Sequence, residues 1–407
     1  MDALRDSVVD ITPVGSLRRF DASVGDISLL AVTPSGPALL ERLATLRGIK
    51  VLQRSGASGL LESDREQITL YTAPPETAGA ALLHYTGSRT HVVELGRRAR
   101  ARNLEMTPAG VSAADTGEAL DSRTEELVYK WLDLPLIPPE LREGQGEIEA
   151  ATAAALPSLV QRRDIRGDLH MHSNWSDGRD SITEMVRQAA ALGYEYVAIT
   201  DHSQSSSGAS GLTAERLRSQ RRDIDDARRA FPNIEILHGA EVDILPDGAL
   251  DFPDSVLVDL DIVLASLHDS AGQSGTRLTE RYLRVMRHPL VNIITHPTNR
   301  MIGYRDAYDL DFPKLFEVAV ETGTVLEIDG APGHLDMDGA LARQAVDRGV
   351  TVSINSDCHR AAWFDRQMTF GVGTARRGWI EARQVLNTRP VSELREMVRR
   401  KRGGWER

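Results

Sequence analysis

The chain has 407 residues, of which 41% are hydrophobic and 26% are charged. That length predicts two or three domains, because domains usually contain ~100–200 residues. The formal net charge of −11 argues against a protein that coats a polyanion. No apolar run reaches the ~20 residues of a membrane span and the N-terminus has no secretory signal, so we expect no membrane partner. The single cysteine, Cys358, excludes an intrachain disulfide and fits a cytoplasmic location.

Short apolar runs alternate with turn signals in the N-terminal third of the chain. Two strands and two helices are predicted there, at 28–33, 68–73, 79–85 and 92–102. Pro138-Pro139 and the Gly-Gln-Gly sequence at 144–146 break the pattern, and the alanine-rich segment 150–156 suits a linker or a docking helix. We therefore predict a first, α+β domain over residues 1–143 and a linker over residues 144–163.

From Asp164 onward, seven strand-like apolar runs recur, and most of them precede a segment of helical length. The runs are 166–172, 196–200, 234–241, 261–267, 291–295, 325–328 and 350–355. Helical periodicity with cap signals is found at 181–192, 213–230 and 338–348. This alternation predicts an α/β fold whose parallel sheet closes into a barrel or stays open and doubly wound. We place this domain at 164–390, followed by a C-terminal helix and basic tail at 391–407.

Histidines are concentrated in the second domain, since nine of the 11 lie between His170 and His359. Histidine is the commonest metal ligand in proteins. Six of the seven predicted strands carry a histidine or a carboxylate at or just after the C-terminal end, where α/β barrels build their active sites. These residues are His170, His172, Asp177, His202, Glu241, His268, His296, Asp357 and His359. Because such a cluster is costly without a metal, nine ligands predict two or three divalent ions.

Adjacent divalent ions clamp phosphoryl oxygens and activate water, so the cluster predicts phosphoester hydrolysis. Mixed imidazole and carboxylate ligation suits zinc or manganese and leaves iron open. Arg300 and Arg305 follow His296 and are candidates for binding a phosphate oxygen, or else they are solvated surface arginines. We expect Cys358 to be a small packed residue whose side chain points away from the ligands on either side of it.

The segments that carry these residues resemble the motifs of the polymerase-and-histidinol-phosphatase (PHP) domain: GDLHMHSNWSDG, AITDHS, GAEVDIL, ASLHD, THPTNR and INSDCH. They are most similar to the version fused to bacterial family X DNA polymerases, over about residues 164–387. The resemblance implies a distorted, TIM-like (β/α)7 barrel with a trinuclear metal site. The chain departs from the family pattern at Gly333-His334, where relatives tend to have a larger residue and an arginine.

The resemblance also implies how the ligands are shared among the ions. One ion would be held by His170, His172, Glu241 and Asp357, and a second by Glu241, as a bridge, with His268 and His296. Asp177, His202 and His359 would hold the third ion. We place Glu241, Asp357 and His268 around a metal-bound hydroxide as the catalytic residues.

The N-terminal segments VGSLRRFDASVGDISLL, PPETAGAALLHYTGSRTHVVEL and LPLIPPELREG resemble the palm and thumb of the same polymerases. The palm of these enzymes has three carboxylates, and this chain has Asp26, Ser28 and Thr69 in their places. Two-metal nucleotidyl transfer needs several carboxylates, so we expect a degenerate site without polymerase activity. Since the chain begins at the palm-like segment, the lyase and fingers domains of complete relatives are expected to be missing.

Basic residues of the thumb-like segment are candidates for contacts to the DNA backbone, or else they form a solvated helical face. They are Arg97, Arg98, Arg100 and Arg102, and Ser88 offers donors at the preceding turn.

We therefore expect a metal-dependent phosphoesterase that acts on DNA ends, as a 3′–5′ exonuclease or 3′-end processing enzyme of repair type. The alternatives are a small-molecule phosphomonoesterase of histidinol-phosphatase type and a noncatalytic DNA-binding adaptor. Three divalent ions would add about +6 at the barrel mouth, so the net charge does not decide the partner.

Overall fold

The computed structural model describes residues 8–206 and 208–403. The chain divides into two compact units, Met1–Leu156 and Pro157–Arg407. Residues 1–7 of the predicted first domain and residues 404–407 of the predicted basic tail lie outside the described residues. The finer division, with a separate linker at 144–163, stays a prediction.

A five-stranded mixed sheet and a three-stranded antiparallel sheet form the first unit. The strands are β1 (Asp10–Pro13), β2 (Ile27–Val32), β3 (Ile49–Ser55), β4 (Ser58–Ser63), β5 (Glu66–Ala73), β6 (Leu104–Thr107), β7 (Gly110–Ala113) and β8 (Ala119–Leu120). The larger sheet has the order β1-β2-β5-β4-β3, in which only the β2–β5 pair is parallel, and the smaller has the order β6-β7-β8.

The described residues of this unit also form six α-helices: α1 (Gly15–Arg18), α2 (Gly36–Leu43), α3 (Ala78–Thr86), α4 (Arg89–Arg100), α5 (Glu125–Trp131) and α6 (Glu147–Thr152). The two predicted strands and two predicted helices are confirmed as β2, β5, α3 and α4. Strand β3 escapes sequence patterning because most of its residues are exposed, so it has no apolar face with a period of two.

Seven parallel strands in chain order form the second unit. They are β9 (Gly167–Asp168), β10 (Tyr196–Ile199), β11 (Glu235–Asp243), β12 (Ile262–Ser266), β13 (Ile293–Ile294), β14 (Val325–Asp329) and β15 (Val352–Asn355). Every neighbouring pair is parallel. This nearly closed barrel, preceded by an α+β region, confirms the fold class implied by the resemblance.

The helices of the second unit lie mostly between consecutive strands. They are α7 (Ile182–Ala191), α8 (Ala214–Ala230), α9 (Asp254–Leu257), α10 (Gly275–Met286), α11 (Phe312–Thr322), α12 (Gly339–Asp347), α13 (Phe364–Arg377) and α14 (Val391–Arg402). None of the helices described in either unit combines the length and the apolar character that crossing a bilayer requires.

Alternate residues of the barrel strands enter two different apolar clusters. On β12, Ile262 and Leu264 belong to the cluster that fills the barrel, whereas Val263 and Ala265 belong to the cluster between the strands and the outer helices. Leu394 of α14 packs into the inner cluster. Both faces of the strands are therefore buried, which explains their near-continuous apolar runs.

The seam between β9 and β15 closes the ring of strands. Just beyond the two strands, Met171 and Cys358 form a parallel bridge, and the His172 amide donates to the Cys358 carbonyl at 2.9 Å. Lower down, the Leu169 amide donates to Oδ1 of Asn355 at 3.1 Å. This closure brings the first and last predicted ligand segments side by side.

Asn387 joins the same seam from below, and its loss is expected to destabilise the barrel. The buried amide donates to the carbonyls of Gly167, at 2.9 Å, and of Ile354, and its Oδ1 accepts the Ile354 N–H at 3.0 Å. Asn387→Ala would leave three buried backbone groups unpaired, so we expect about 3 kcal/mol less free energy of unfolding in urea denaturation. Arg383→Ala, at an exposed position nearby in the sequence, should change the free energy of unfolding by less than about 0.5 kcal/mol. Equal unfolding midpoints for the two variants would contradict this account of the seam.

Candidate metal centre

Histidines and carboxylates from six strands meet at the C-terminal end of the barrel. The structure brings together all nine residues singled out in the sequence. Their ligand atoms form groups in which every atom lies within 4.8 Å of the others: His172–Asp177–His202–His359, His170–His172–Asp357, His170–Glu241–His296 and His202–Glu241–His268. Because His268 and His296 fall into different groups here, the assignment of ligands to individual ions stays a prediction.

The first predicted ligand group has the spacing of atoms around one metal ion. Nε2 of His170 lies 3.1 Å from Nε2 of His172, and Oδ1 of Asp357 lies 3.6 Å and 3.1 Å from these two nitrogens. Ligand atoms ~2.0–2.1 Å from a tetrahedral zinc are about 3.3 Å apart. His170 and His172 reach the same side because side chains in extended backbone alternate with a period of two. The triangle therefore fits one face of a metal coordination sphere.

Glu241 lies at the centre of the cluster and is fully buried. Its two carboxylate oxygens lie within 4 Å of five imidazoles, those of His170, His172, His202, His268 and His296. Burial raises the pKa of this carboxyl, but the facing histidines outweigh burial and hold the pKa well below its ordinary value. Glu241 therefore stays ionised and can bridge two ions.

Several buried polar atoms of the cluster have no hydrogen-bond partner among the described residues. Nδ1 of His202 and Oε2 of Glu241 lie 2.9 Å apart, yet neither makes a hydrogen bond of good geometry. Nδ1 of His172 and Nδ1 of His296 are also unpartnered. Buried lone pairs without donors are costly, and a cation removes that cost. The residues present therefore fit divalent metal ions.

The ring of His172 stacks on those of His202 and His359. The pKa of His172 is lowered, whereas the pKa values of the other two histidines are raised. Burial opposes the charged form of His202, but Glu241 and Asp177 outweigh it and raise the pKa of His202 to about 10. The same balance of burial against facing carboxylates raises the pKa of His359 to about 9. Burial and the two neighbouring rings lower the pKa of His172 to about 3. Without metal, the carboxylates draw protons onto two rings, and divalent ions would supply that positive charge instead.

Two of the ligands adopt left-handed backbone conformations that residues with a side chain rarely use. His296 has a φ of 25° and Asp357 has a φ of 48°. Such conformations cost ~1–3 kcal/mol and persist where the surrounding structure enforces them, often at functional sites. The His296 amide is held by Glu327 Oε2 at 2.8 Å, which fixes this unusual turn.

Glu327 of β14 is a buried residue outside the nine predicted ligands. Its Oε1 faces Nδ1 of His170 at 2.9 Å and accepts a bond from Nδ2 of Asn355 at 2.8 Å. A carboxylate in this position holds the ring proton on Nδ1 and leaves Nε2 free to bind a metal. Its sequence signal is a charged residue within the apolar run Val325–Ile328, the one predicted strand left without a ligand.

Asp243 orients a second ring in the same way. Its Oδ1 lies 2.9 Å from Nδ1 of His268, which turns Nε2 of that ring toward Oε1 of Glu241 at 3.6 Å. Asp243 follows Glu241 by two residues on β11, so the two share one side of the strand.

Arg300 and Arg305 lie on the loop that follows His296, and their guanidinium groups bind carbonyls. Nε of Arg300 donates to the His334 carbonyl at 2.9 Å, and Nε of Arg305 donates to the Asn299 carbonyl at 2.7 Å. These bonds brace the loop beside the ligands. Phosphate binding by the two arginines stays a prediction.

The three palm-like positions of the first unit lie together and include a single carboxylate. Ser28 of β2 pairs directly with Thr69 of β5, and the Ser28 hydroxyl donates to Oδ2 of Asp26 at 2.6 Å. Arg18, near this sheet, forms an ion pair with Glu125 at 2.8 Å.

The candidate DNA-backbone residues lie at the two ends of α4. Ser88 caps the N-terminus, where its Oγ accepts the His91 N–H at 3.2 Å. The arginines lie at or beyond the last turn: Arg97, Arg98, Arg100 and Arg102. Arg98 donates to the Leu132 carbonyl at 2.7 Å, whereas Arg97 and Arg100 are exposed. DNA contact by this group stays a prediction.

Comparisons with known proteins relate the first unit to a DNA polymerase family and the second unit to the PHP domain family. The family model for the DNA polymerase beta thumb matches residues 81–143, and that for the PHP domain matches residues 168–311. DNA polymerase/3'-5' exonuclease PolX of Bacillus subtilis (strain 168) is 38% identical over 397 residues, which are 97% of this chain and 69% of that protein.

Two shorter relatives match a smaller part of the chain. A protein named "Probable phosphatase" from Thermoanaerobacter sp. (strain X514) is 30% identical over 260 residues, which are 59% of this chain and 98% of that protein. Another of that name, from Acetivibrio thermocellus, is 29% identical over 251 residues, which are 58% of this chain and 95% of that protein.

Glu327→Gln is expected to weaken metal binding without removing a ligand. The amide keeps the size of the side chain but loses a carboxylate oxygen that holds His170, so we expect a ~10–100-fold weaker affinity for zinc or manganese. Competition with a chromogenic chelator measures this affinity. Glu317→Gln, at an exposed position on α11, should leave the metal affinity unchanged. Equal metal affinities of Glu327→Gln and Glu317→Gln would refute the orienting role of Glu327.

Proposed function

Because the chain belongs to the bacterial family X DNA polymerases that carry a C-terminal PHP domain, we propose that it hydrolyses phosphodiester bonds at DNA ends, as a 3′–5′ exonuclease or 3′-end processing enzyme with a repair-like role. Its broader class is that of the phosphoester hydrolases. The observation that carries the proposal is the convergence of six imidazoles and three carboxylates at one end of the barrel.

The predicted ligand residues would have different roles at such a site. Divalent ions bound there would activate water and neutralise phosphoryl oxygens. Glu241 and Asp357 supply ionised oxygens, because the pKa of each carboxyl is held well below its ordinary value by facing histidines, which outweigh the effect of burial. His268 keeps 27% of its side chain exposed and is oriented by Asp243, so it can contact a substrate at the mouth. We assign Glu241, Asp357 and His268 as the residues nearest the reacting phosphate.

Exposed aromatic residues near the ligand segments favour a nucleic-acid substrate. Tyr304, on the loop after His296, is 90% exposed. Trp363 follows the ligand His359 by four residues, and the guanidinium carbons of Arg360 and Arg366 lie 5.0 Å and 5.4 Å from its ring centroid. Bases of single strands stack on such aromatic and arginine surfaces.

A second candidate is a small-molecule phosphomonoesterase. It is favoured by the two relatives named as phosphatases, whose nearly full lengths match little more than half of this chain. A noncatalytic adaptor has weaker support, because a scaffold has no need of nine costly ligands.

DNA-end hydrolysis is the first test. We expect the manganese- or zinc-loaded chain to shorten 5′-labelled single- or double-stranded DNA progressively from the 3′ end, resolved on denaturing gels. His170→Ala and Asp357→Asn should each reduce the rate at least ~100-fold, since each removes a ligand of the same ion.

His288→Ala is the matched control, because this histidine pairs with Asp254 at 3.2 Å and is not a predicted ligand. An aryl phosphate monoester is assayed in parallel. Turnover of the monoester with intact DNA would replace the proposal with the phosphomonoesterase, and loss of DNA cleavage in the control alone would contradict the site.

We also propose that the chain lacks DNA polymerase activity. A two-metal polymerase site needs several carboxylates to hold both ions on the attacking and leaving oxygens. Asp26 is the one carboxylate among the three positions, and it accepts a hydrogen bond from the Ser28 hydroxyl.

Primer extension tests this absence. With magnesium or manganese, we expect no template-directed incorporation above a reaction without protein, and a family X polymerase with all three carboxylates serves as the positive control. Incorporation that follows the template would overturn the proposal, and loss of that incorporation in Asp26→Asn would locate it in the first unit.

A further inference from the structure

A second group of ligand atoms lies beside the nine-residue cluster. Asp329 ends β14, and it meets His334 and Asp357 so that one ligand atom of each lies within 4.8 Å of the others. Asp329 is fully buried, Asp357 is nearly so, and His334 is partly exposed. Only Asp357 belongs to the cluster described above.

The group is rich in acceptor atoms, and one of them is buried without a donor among the described residues. Oδ1 of Asp329 accepts the Ala331 N–H at 2.6 Å, whereas the buried Oδ2 has no hydrogen-bond partner among the described residues. Nδ1 of His334 lies 2.8 Å from the Arg300 carbonyl, which can only accept. The ring proton is therefore on Nδ1, and Nε2 carries a lone pair. Two buried carboxylates that face the lone pair of a partly exposed imidazole favour a cation or a proton between them.

His334 is held in the orientation that metal-binding histidines adopt. Its Nδ1–H is committed to a backbone carbonyl, the arrangement that leaves Nε2 for a metal. Its own carbonyl accepts from Nε of Arg300 at 2.9 Å, and its amide donates to the Ala331 carbonyl at 2.9 Å. The ring stacks on His296 with a centroid distance of 5.5 Å. The ring is thus oriented before any ion arrives.

We propose that Asp329, His334 and Asp357 bind a further divalent transition-metal ion, in addition to those held by the nine ligands. Asp357 would bridge this ion to the main cluster. One nitrogen and two carboxylate oxygens suit zinc or manganese and leave a coordination position open. His334 is the most exposed of the three, so we expect the open position to be reached from the solvent side, where an anionic phosphate oxygen would approach. The inference rests on the metal-binding part of the proposed function and not on its substrate.

Metal content and anomalous diffraction test this site on the full chain. We compare the wild type with Asp329→Asn, which keeps the shape of the side chain, and with His334→Arg, which replaces the ion by a fixed positive charge. Asp347→Asn, an exposed carboxylate on α12, is the matched control. After equilibrium dialysis against Mn²⁺, mass spectrometry of the metal should give one ion per chain fewer in each variant than in the wild type and the control.

Crystals of the wild type grown with Mn²⁺ should show an anomalous peak between Asp329 and His334 that His334→Arg lacks. Equal metal content in all four proteins, with no such peak, would overturn the proposal and leave a proton on Asp329 instead. If Asp329→Asn does not fold, His334→Arg and the wild-type map decide between these outcomes.

DNA hydrolysis measured on the same preparations separates this inference from the proposed function. An extra ion without DNA cleavage would uphold the site and refute the nuclease. DNA cleavage together with equal metal content in the wild type and the variants would support the nuclease and refute the further metal site.

Discussion

The buried negative charge of Glu241 is the constraint on which the second unit depends. An ionised carboxylate removed from water costs several kcal/mol unless charges of opposite sign surround it. Five imidazoles that follow four different strands provide that surrounding, with contacts of 2.8 to 3.6 Å. Such contacts can form only if the ends of the strands are held in a ring. The cluster therefore depends on the barrel.

The barrel supplies this rigidity from below the ligands. Alternate residues of the strands fill the interior and cover the outer face, so each strand end is fixed by packing on both sides. The seam between β9 and β15 has few strand-to-strand bonds, and Asn355 and Asn387 span it with their side chains. Buried carboxylates then fix the orientation of two imidazole rings. Glu327 holds the ring of His170, and Asp243 holds the ring of His268. The ligands are thus positioned by neighbours that would not themselves touch an ion.

The first unit also has a parallel strand pair, but the side chains at its candidate site carry fewer charges than those of the barrel. The parallel pair β2–β5 places Ser28 against Thr69, next to Asp26, so the three palm-like positions lie together. The Ser28 hydroxyl donates a hydrogen bond to the Asp26 carboxylate, and two of the three positions carry hydroxyl groups without charge, so this place needs no cation to balance a cluster of buried charges. The two units therefore differ in the charge that they bury, and this difference is why the proposed chemistry belongs to the barrel.

Periodicity and strand-end position alone identified the nine residues that meet at the barrel mouth, because parallel strands of one sheet end at the same edge. The alternation of strands and helices likewise indicated the α/β class before any contact was known. The packed ring was needed to show that Arg300 and Arg305 bind loop carbonyls, and that Glu327 and Asp243 face histidine nitrogens. It was also needed to bring Asp329 to His334. These facts depend on which atoms face each other across different strands and loops, and that is decided by tertiary packing and not by the spacing of residues along one segment.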